Sequence, residues 1–314
     1  MNVFPCAVPR RVSVLGVGAM GRLHARVFAE LPQLFTLVGV YDPSGVAARE
    51  VGQTWSVPAF DDEAEAIAAA DLVVIASPIE AHAGAARRAL AGGRHVLVEK
   101  PVCATAAQAF ALTRAVARDQ RLFVGHSERF NPVIRALASL VRPEGVQSIR
   151  LRRTAVTTRH GGEHAALVSL GVHDLDLVAH LSASPVALRD VSHVDDDRAD
   201  LVLVAARGAV AWVHVDRRAK ERGRTIVVAT KDAVYTGDLL MKTLSVRHGS
   251  GPETPCVLPR EEPLVAQAAA ISRVLSGGAE AVATGMDGAR ALAIVEQATM
   301  RRGPRPDQAS PPTF

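Results

Sequence analysis

The sequence predicts an α/β protein. An N-terminal Rossmann domain with a parallel sheet should be followed by a C-terminal α+β domain with an open, mostly antiparallel sheet. Three observations carry this expectation. Up to His126, short β-branched apolar runs alternate with alanine-rich segments of helical length. A glycine cluster of the form G-x-G-x-x-G stands between the first run and the first helix. Beyond His126 the runs lengthen and are joined by short turns, as in an antiparallel sheet. A length of 314 residues exceeds one usual domain of about 100–200 residues, so two domains are expected.

The elements follow in order. From Arg11 the chain reads RVSVLGVGAMG and then RLHARVFAEL, which is strand, tight turn and helix. FTLVGVYD, DLVVIASP, HVLVEKP and RLFVGH are further strands of one parallel sheet, separated by helices that cover both of its faces. A helix starts near Pro132. VQSIRLRRTAV, ADLVLVAARGAVAWVHVDRR and RTIVVATKDAVYTG then read as longer strands, interrupted by the helical AALVSLGVHDLDLVAHLS. Helices around 262–276 and 286–301 close the second domain. The expected boundaries are 1–126, 127–301 and a flexible tail at 302–314, where RRGPRPDQASPPTF is proline-rich and poor in apolar residues.

Composition excludes several classes. Apolar residues make 48% and charged residues 22% of the chain, globular values that exclude a disordered, collagenous or coiled-coil protein. No apolar run approaches the roughly 18 residues of a membrane span, and the opening MNVFPCAVPRR has no signal-peptide hydrophobic region, so a cytoplasmic protein without membrane attachment is expected. Cys6, Cys103 and Cys256 are too few and too scattered for a disulfide framework or a thiolate metal site. The histidines show no metal-binding spacing, and no metal is expected. With 36 basic against 32 acidic residues, nucleic acid is not implied. Arg150, Arg152, Arg153 and Arg159 form a local basic stretch, which suits either an anionic ligand or a solvated strand face.

The glycine cluster is Gly16, Gly18 and Gly21, enclosing Ala19 and Met20. The first glycine permits the turn, the second lets the backbone approach a pyrophosphate, and the third allows close helix packing. The helix start offers unpaired N–H groups to the phosphates. Asp42 ends the second strand, where a carboxylate accepts hydrogen bonds from the adenine-ribose hydroxyls and repels a 2′-phosphate, so NAD is preferred over NADP. The competing reading is a structural turn with Asp42 as a helix cap. Further on, Glu99, Lys100 and Pro101 fall at the carboxyl edge of the parallel sheet, where ligands of such folds bind. Lys100 is one of four lysines in a chain that otherwise uses arginine, and an ammonium, unlike a guanidinium, is compact and can give up its proton. It can equally be a solvated residue at a strand end.

Five features in order resemble the Gfo/Idh/MocA oxidoreductases: GVGAMG at 16–21 with Asp42, SPIEAH at 77–82, EKP at 99–101, GHSERFNP at 125–132 and GVHDLD at 171–176. Together they span roughly residues 10–300. Within the family the chain is most similar to members that oxidise the C3 hydroxyl of UDP-N-acetylglucosamine, on the strength of GHSERFNP and VSLGVHDLD.

The resemblance implies an NAD-binding first domain, a substrate-binding and oligomerising second domain, and a cleft where nicotinamide meets sugar. It implies Lys100 at the reacting hydroxyl and cofactor, His173 as acid/base and Asp176 lining the same site. Ser77, Pro78, His82, Glu99 and Pro101 join the expected cofactor set. Arg129, Asn131, Arg153, Arg159, Ser169 and His173 make the expected substrate set. His82 can instead simply begin a helix, His173 can be a satisfied core histidine, and Asp176 a surface acid. Asn131 before Pro132 also makes an ordinary helix start. One departure stands out: where the family often has an aspartate four residues before the histidine, this chain has Ser169. Serine can hydrogen-bond an imidazole but brings no negative charge. The expected product is a 3-keto nucleotide sugar, consumed by an aminotransferase in lipid A or polysaccharide synthesis, from a homo-oligomer (dimer or tetramer). The alternatives are a dehydrogenase of another sugar, inositol or a UDP-uronic acid, and a non-catalytic sugar sensor that binds NAD.

Overall fold

The computed structural model describes residues 8–157 and 165–301. They fall into two compact units, the described residues of Met1–Leu140 with Val257–Leu292, and those of Val141–Cys256 with Ala293–Phe314. The expected boundary at 126/127 thus differs from the division by contacts, which returns 257–292 to the first unit.

The first unit opens with β1 (Arg10–Leu15), α1 (Ala19–Ala29), β2 (Phe35–Tyr41), α2 (Gly45–Trp55), β3 (Ala59–Phe60) and α3 (Glu63–Ala69). It continues with β4 (Leu72–Ile75), α4 (Ile79–Ala91), β5 (His95–Val98), α5 (Ala106–Arg114) and β6 (Leu122–Val124). The strands form one sheet in the order β3-β2-β1-β4-β5-β6, parallel at every junction. The order reverses between β1 and β4, the switch point at which open α/β sheets bind ligands beyond their carboxyl ends. Val12, Val14 and every residue of β4 are fully buried, as expected for strands covered on both faces. Phe28 of α1 packs edge-on against Phe35 of β2, with ring centroids 4.8 Å apart.

A 3-10 turn at Ser127–Phe130 and α6 (Pro132–Leu140) follow. The late helix α8 (Pro263–Leu275) belongs to the first unit, because Leu264, Ala268 and Ile271 complete the core around Phe28 and Phe35.

The second unit contains β7 (Val146–Val156), α7 (Val172–Ser182), β8 (Val186–Val194), β9 (Arg198–Ala205), β10 (Val210–Asp216), β11 (Arg218–Thr230), β12 (Ala233–Asp238), β13 (Thr243–His248) and β14 (Thr254–Pro255). Residues of α9 (Gly285–Met300) are divided between the units. The sheet order is β14-β13-β12-β11-β7-β10-β9-β8. Its junctions are antiparallel except β7 with β10. Strict alternation buries Ala199, Leu201, Leu203 and Ala205 of β9 and Ala211, Val213 and Val215 of β10. That face packs against α7, whose Leu175 and Val178 are buried. The opposite face carries Arg150, whose guanidinium lies 5.2 Å from the Trp212 ring centroid. Among the described residues no helix is long and apolar enough to cross a membrane.

Candidate active site

The glycine loop is shaped by contact. Gly16 adopts φ +86°, and a Cβ there would lie 2.6 Å from the Ser77 nitrogen. A Cβ on Gly21 would stand 1.8 Å from the Gly16 carbonyl oxygen, so any larger residue would push α1 off the loop. Around Gly18 a Cβ would meet nothing within 4 Å. Open space at Gly18, beside crowding at Gly16 and Gly21, is what a pyrophosphate lying on the loop requires. Gly18 caps α1 without a side-chain hydrogen bond, and the first turn, with Ala19 and Met20, holds no acid to repel an anion. The Ser77 hydroxyl oxygen is buried with no hydrogen-bond partner among the described residues. These features fit a dinucleotide.

Asp42 serves the loop. Its carboxylate accepts the Val17 N–H and the Ser44 N–H, each at 2.8 Å. A carboxylate has about four lone-pair sites, so acceptor capacity for ribose hydroxyls remains. Both readings of Asp42, ribose ligand and local cap, are therefore compatible. His82 is 1% exposed. Its Nδ1 lies 2.9 Å from the Pro101 carbonyl oxygen and its Nε2 2.8 Å from that of Ser77. It ties the loop after β4 to the loop after β5, while Pro78 caps α4 in an exposed position.

Lys100 is half-buried at the end of β5. The preceding Glu99 turns inward, away from the role expected of it in direct cofactor contact. Its Oε1 lies 2.7 Å from His24 Nε2, and its Oε2 accepts the Lys100 backbone N–H at 3.2 Å. Burial pushes the Glu99 carboxyl up, but the His24 hydrogen bond and charge together with Lys100 outweigh it, and the group titrates below its ordinary range. Cys103 follows two residues after Pro101 and is fully buried, which pushes its thiol up to about 11 and makes it a poor nucleophile.

Two residues expected at the substrate are engaged within the first unit. Arg129, 7% exposed, holds the Ala281 carbonyl at 3.4 Å and lies 3.5 Å from the Asp287 carboxylate. Asn131 donates to Glu128 at 3.3 Å and accepts the Val133 N–H at 3.1 Å, the helix-start reading.

In the second unit, α7 presents His173, half-buried, with Asp174 and Asp176 at 1% and 2% exposure. Arg153, expected at a diphosphate, is itself 2% exposed. Its Nε lies 3.0 Å from both Asp174 oxygens and its Nη2 2.7 Å from Oδ1, a fork on a carboxylate beneath the helix. Alternation places Arg153 on the buried face of β7, whereas Arg150 and Arg152 are exposed. Arg159 lies outside the described residues. Ser169 sits in a π-helical turn, Leu167–Gly171, directly before α7. Its hydroxyl donates to the Ala165 carbonyl at 3.2 Å and accepts from Arg217 Nη2 at 2.6 Å. The place the family often gives to an acid is therefore held by a serine that takes a guanidinium. His24 and Arg217 were not singled out from the sequence. A histidine on the sheet-facing stripe Gly21, His24, Ala25, Phe28 signals a buried partner, but Arg217 follows a strand end with no comparable cue.

A switch-point glycine loop, an aspartate just beyond β2 and a lysine at the sheet's carboxyl edge define the class, an NAD-dependent oxidoreductase. The chain belongs to the Gfo/Idh/MocA family, whose profile, an oxidoreductase family with an NAD-binding Rossmann fold, matches residues 10–126. It is 30% identical over 304 residues to the UDP-N-acetylglucosamine 3-dehydrogenase of Acidithiobacillus ferrooxidans, covering 91% of this chain and 95% of that one. It is 24% identical to an inositol 2-dehydrogenase of Rhizobium meliloti, covering 92% and 95%. A solved structure of the Acidithiobacillus enzyme superposes with TM-score 0.84 at 27% identity, over 94% of this chain and 98% of that one. A levoglucosan dehydrogenase solved with NADH and levoglucosan has TM-score 0.81 at 19% identity over 93% and 97%, which shows the shared fold. Among the described residues no cluster of three or more His, Cys, Asp or Glu is placed to hold a metal ion.

Proposed function

We propose that this protein oxidises the C3 hydroxyl of UDP-N-acetylglucosamine, giving the 3-keto nucleotide sugar and NADH. The observation that carries this reading is the 30% identity to the Acidithiobacillus dehydrogenase over nearly the whole of both chains. NAD, when bound, supplies the hydride acceptor. Gly16, Gly18, Ala19, Met20 and Gly21 seat its pyrophosphate, and Asp42 its adenosine ribose. Ser77, Pro78 and His82 shape the loop beside it, and Pro101 is anchored there through His82. The first unit is thus the NAD-binding domain and the second the substrate-binding domain.

The chain's own residues handle the proton. The Lys100 ammonium stabilises negative charge developing on the substrate oxygen, and neutral His173 at Nε2 accepts the hydroxyl proton, since an imidazole's pKa lies near the operating pH. Arg153 acts through Asp174, fixing the helix that carries His173, and Asp176 lines the same helix. Arg217, whose Nη2 bonds the Ser169 hydroxyl just before this helix, takes over the diphosphate role first expected of Arg153. A ketone beside an acetamido group is a substrate for transamination, so an aminotransferase making a 3-amino sugar for lipid A or polysaccharide is the fitting partner. A homo-oligomer, dimer or tetramer, buries the open sheet face.

The test follows NADH formation by absorbance with UDP-N-acetylglucosamine, other nucleotide sugars, free sugars and inositol, with an aminotransferase and glutamate to remove the ketone. Turnover confined to UDP-N-acetylglucosamine supports the proposal. Turnover confined to inositol favours the second reading, to which the Rhizobium relative points. NAD binding without turnover on any of them indicates the sensor, for which Ser169 at the acid's place speaks.

A further inference from the structure

We propose that His24 and Glu99 are positioning residues for Lys100, holding its backbone N–H on a buried carboxylate. The inference deepens the dehydrogenase reading and rests on it for the role of Lys100.

The geometry begins with α1. Gly21, His24, Ala25 and Phe28 recur at helical spacing on the stripe that faces the sheet, so the imidazole is carried into an apolar interior at 1% exposure. An imidazole there needs a partner. The sheet supplies one at the end of β5, where Glu99 is 6% exposed and 2.7 Å from His24 Nε2. Room for the carboxylate is made by Gly125, since a Cβ there would lie 2.6 to 2.8 Å from all three carboxyl atoms of Glu99. The second oxygen accepts the Lys100 N–H at 3.2 Å. One buried carboxylate thus joins the helix that opens the glycine loop to the backbone of the lysine.

The charge matters as well as the position. Lys100 favours the ionised form of Glu99, and the same interaction, read from the other side, favours the ammonium form of Lys100. Among the described residues, the charged and titratable groups that act on this carboxylate are His24 from α1 and Lys100 along the chain; Gly125, after β6, brings none. One residue beyond Lys100, the Pro101 carbonyl is bound by His82 from α4.

The experiment uses the full chain and needs no substrate for its first arm. Lysines are acylated with an anhydride across a pH series, and the peptides carrying Lys100, Lys220, Lys231 and Lys242 are quantified by mass spectrometry. Only the unprotonated amine reacts. In Glu99→Gln the Lys100 curve should move to lower pH by about one unit while the other three stay in place. His24→Gln, which keeps an amide donor to a carboxylate still ionised where a lysine titrates, should leave the Lys100 curve in place. Superimposable Lys100 curves in the wild type and folded Glu99→Gln would overturn the proposal. If Glu99→Gln does not fold, Glu99→Met decides by the same criterion.

The second arm is kinetic. Glu99→Gln should lower kcat by about 10- to 100-fold with KM for NAD unchanged, and should move the basic limb of the kcat/KM profile to lower pH. Equal loss at every pH with an unmoved limb would reduce the pair to packing and overturn the proposal. A wild type inactive on every sugar tested would sink the dehydrogenase reading instead, and the labelling arm would still decide the pair.

Discussion

Among the described residues, each unit sets a buried carboxylate and a nitrogen partner beside the residue expected to do chemistry, and the two pairs are built differently. In the first unit His24 and Glu99 stand behind Lys100. In the second, Arg153 and Asp174 stand beneath His173. The imidazole meets its carboxylate through one bond and leaves the second oxygen for the Lys100 N–H, so the first pair reaches on to the lysine's backbone. The guanidinium forks onto its carboxylate by several bonds, so the second pair is a fixed strut. One arrangement suits a loop residue that must be placed, the other a helix whose orientation must be held.

The comparison is broken most severely by removing what the pairs support. Lys100→Met should lower kcat by about 1000-fold or more with NAD binding retained, measured by single-turnover kinetics and cofactor fluorescence. Wild-type rates in Lys100→Met would end its assignment to chemistry. Combining Lys100→Met with His173→Asn should cost far less than the product of the two single losses if both serve one proton transfer.

Stability sharpens the contrast next. Asp174→Ala removes the carboxylate that the buried Arg153 guanidinium forks onto and should cost about 3–5 kcal/mol in urea unfolding. Arg153→Met together with Asp174→Leu should recover most of that loss, because it removes both desolvated charges at similar volume. A double variant as unstable as Asp174→Ala would show that the pair does more than brace the helix.

The pH dependence separates the pairs again. Glu99 titrates below its ordinary value in the folded chain, so the stability it contributes is present above about pH 4.5 and is lost as pH falls through its lowered folded value. Glu99→Gln should therefore flatten the acid side of the stability curve, read from thermal melting across that window. An unchanged acid slope would contradict the assignment.

The smallest expected effect concerns Ser169. Aspartate there should pair with Arg217, whose Nη2 already bonds the serine, and so leave the acidic limb of the pH-rate profile nearly in place. Ser169→Asp with Arg217→Gln should free the carboxylate for the imidazole and move that limb upward, since a nearby negative charge favours the protonated ring. A full upward shift from Ser169→Asp alone would mean that Arg217 does not claim the new acid.

Much of this was legible in the chain. The strands of the first sheet are short runs of Val, Ile and Leu, and the glycine loop interrupts them where backbone must approach phosphate. The long strands β7, β9, β10 and β11 also announced themselves by their apolar content. β8 did not, because it buries one of nine residues, Leu188, and reads as polar loop. α8 was assigned to the wrong side of the boundary because an apolar stripe says that a helix packs, and nothing in the stripe says against what. Arg153 misled for a related reason. A row of arginines suggests an anion, yet alternation along β7 sends Arg150 and Arg152 outward and Arg153 into the interior, onto Asp174.

Composition and spacing by themselves determined that this chain folds a dinucleotide-binding sheet, and placed Gly16, Asp42 and Lys100 at its carboxyl edge, because those constraints act between neighbours in sequence. Only the tertiary structure decided which carboxylate meets which cation. Glu99 reaches His24 across 75 residues and Arg153 reaches Asp174 across 21. Such partners are chosen by packing, since a buried charge is tolerable only where the fold brings its counterpart to hydrogen-bonding distance.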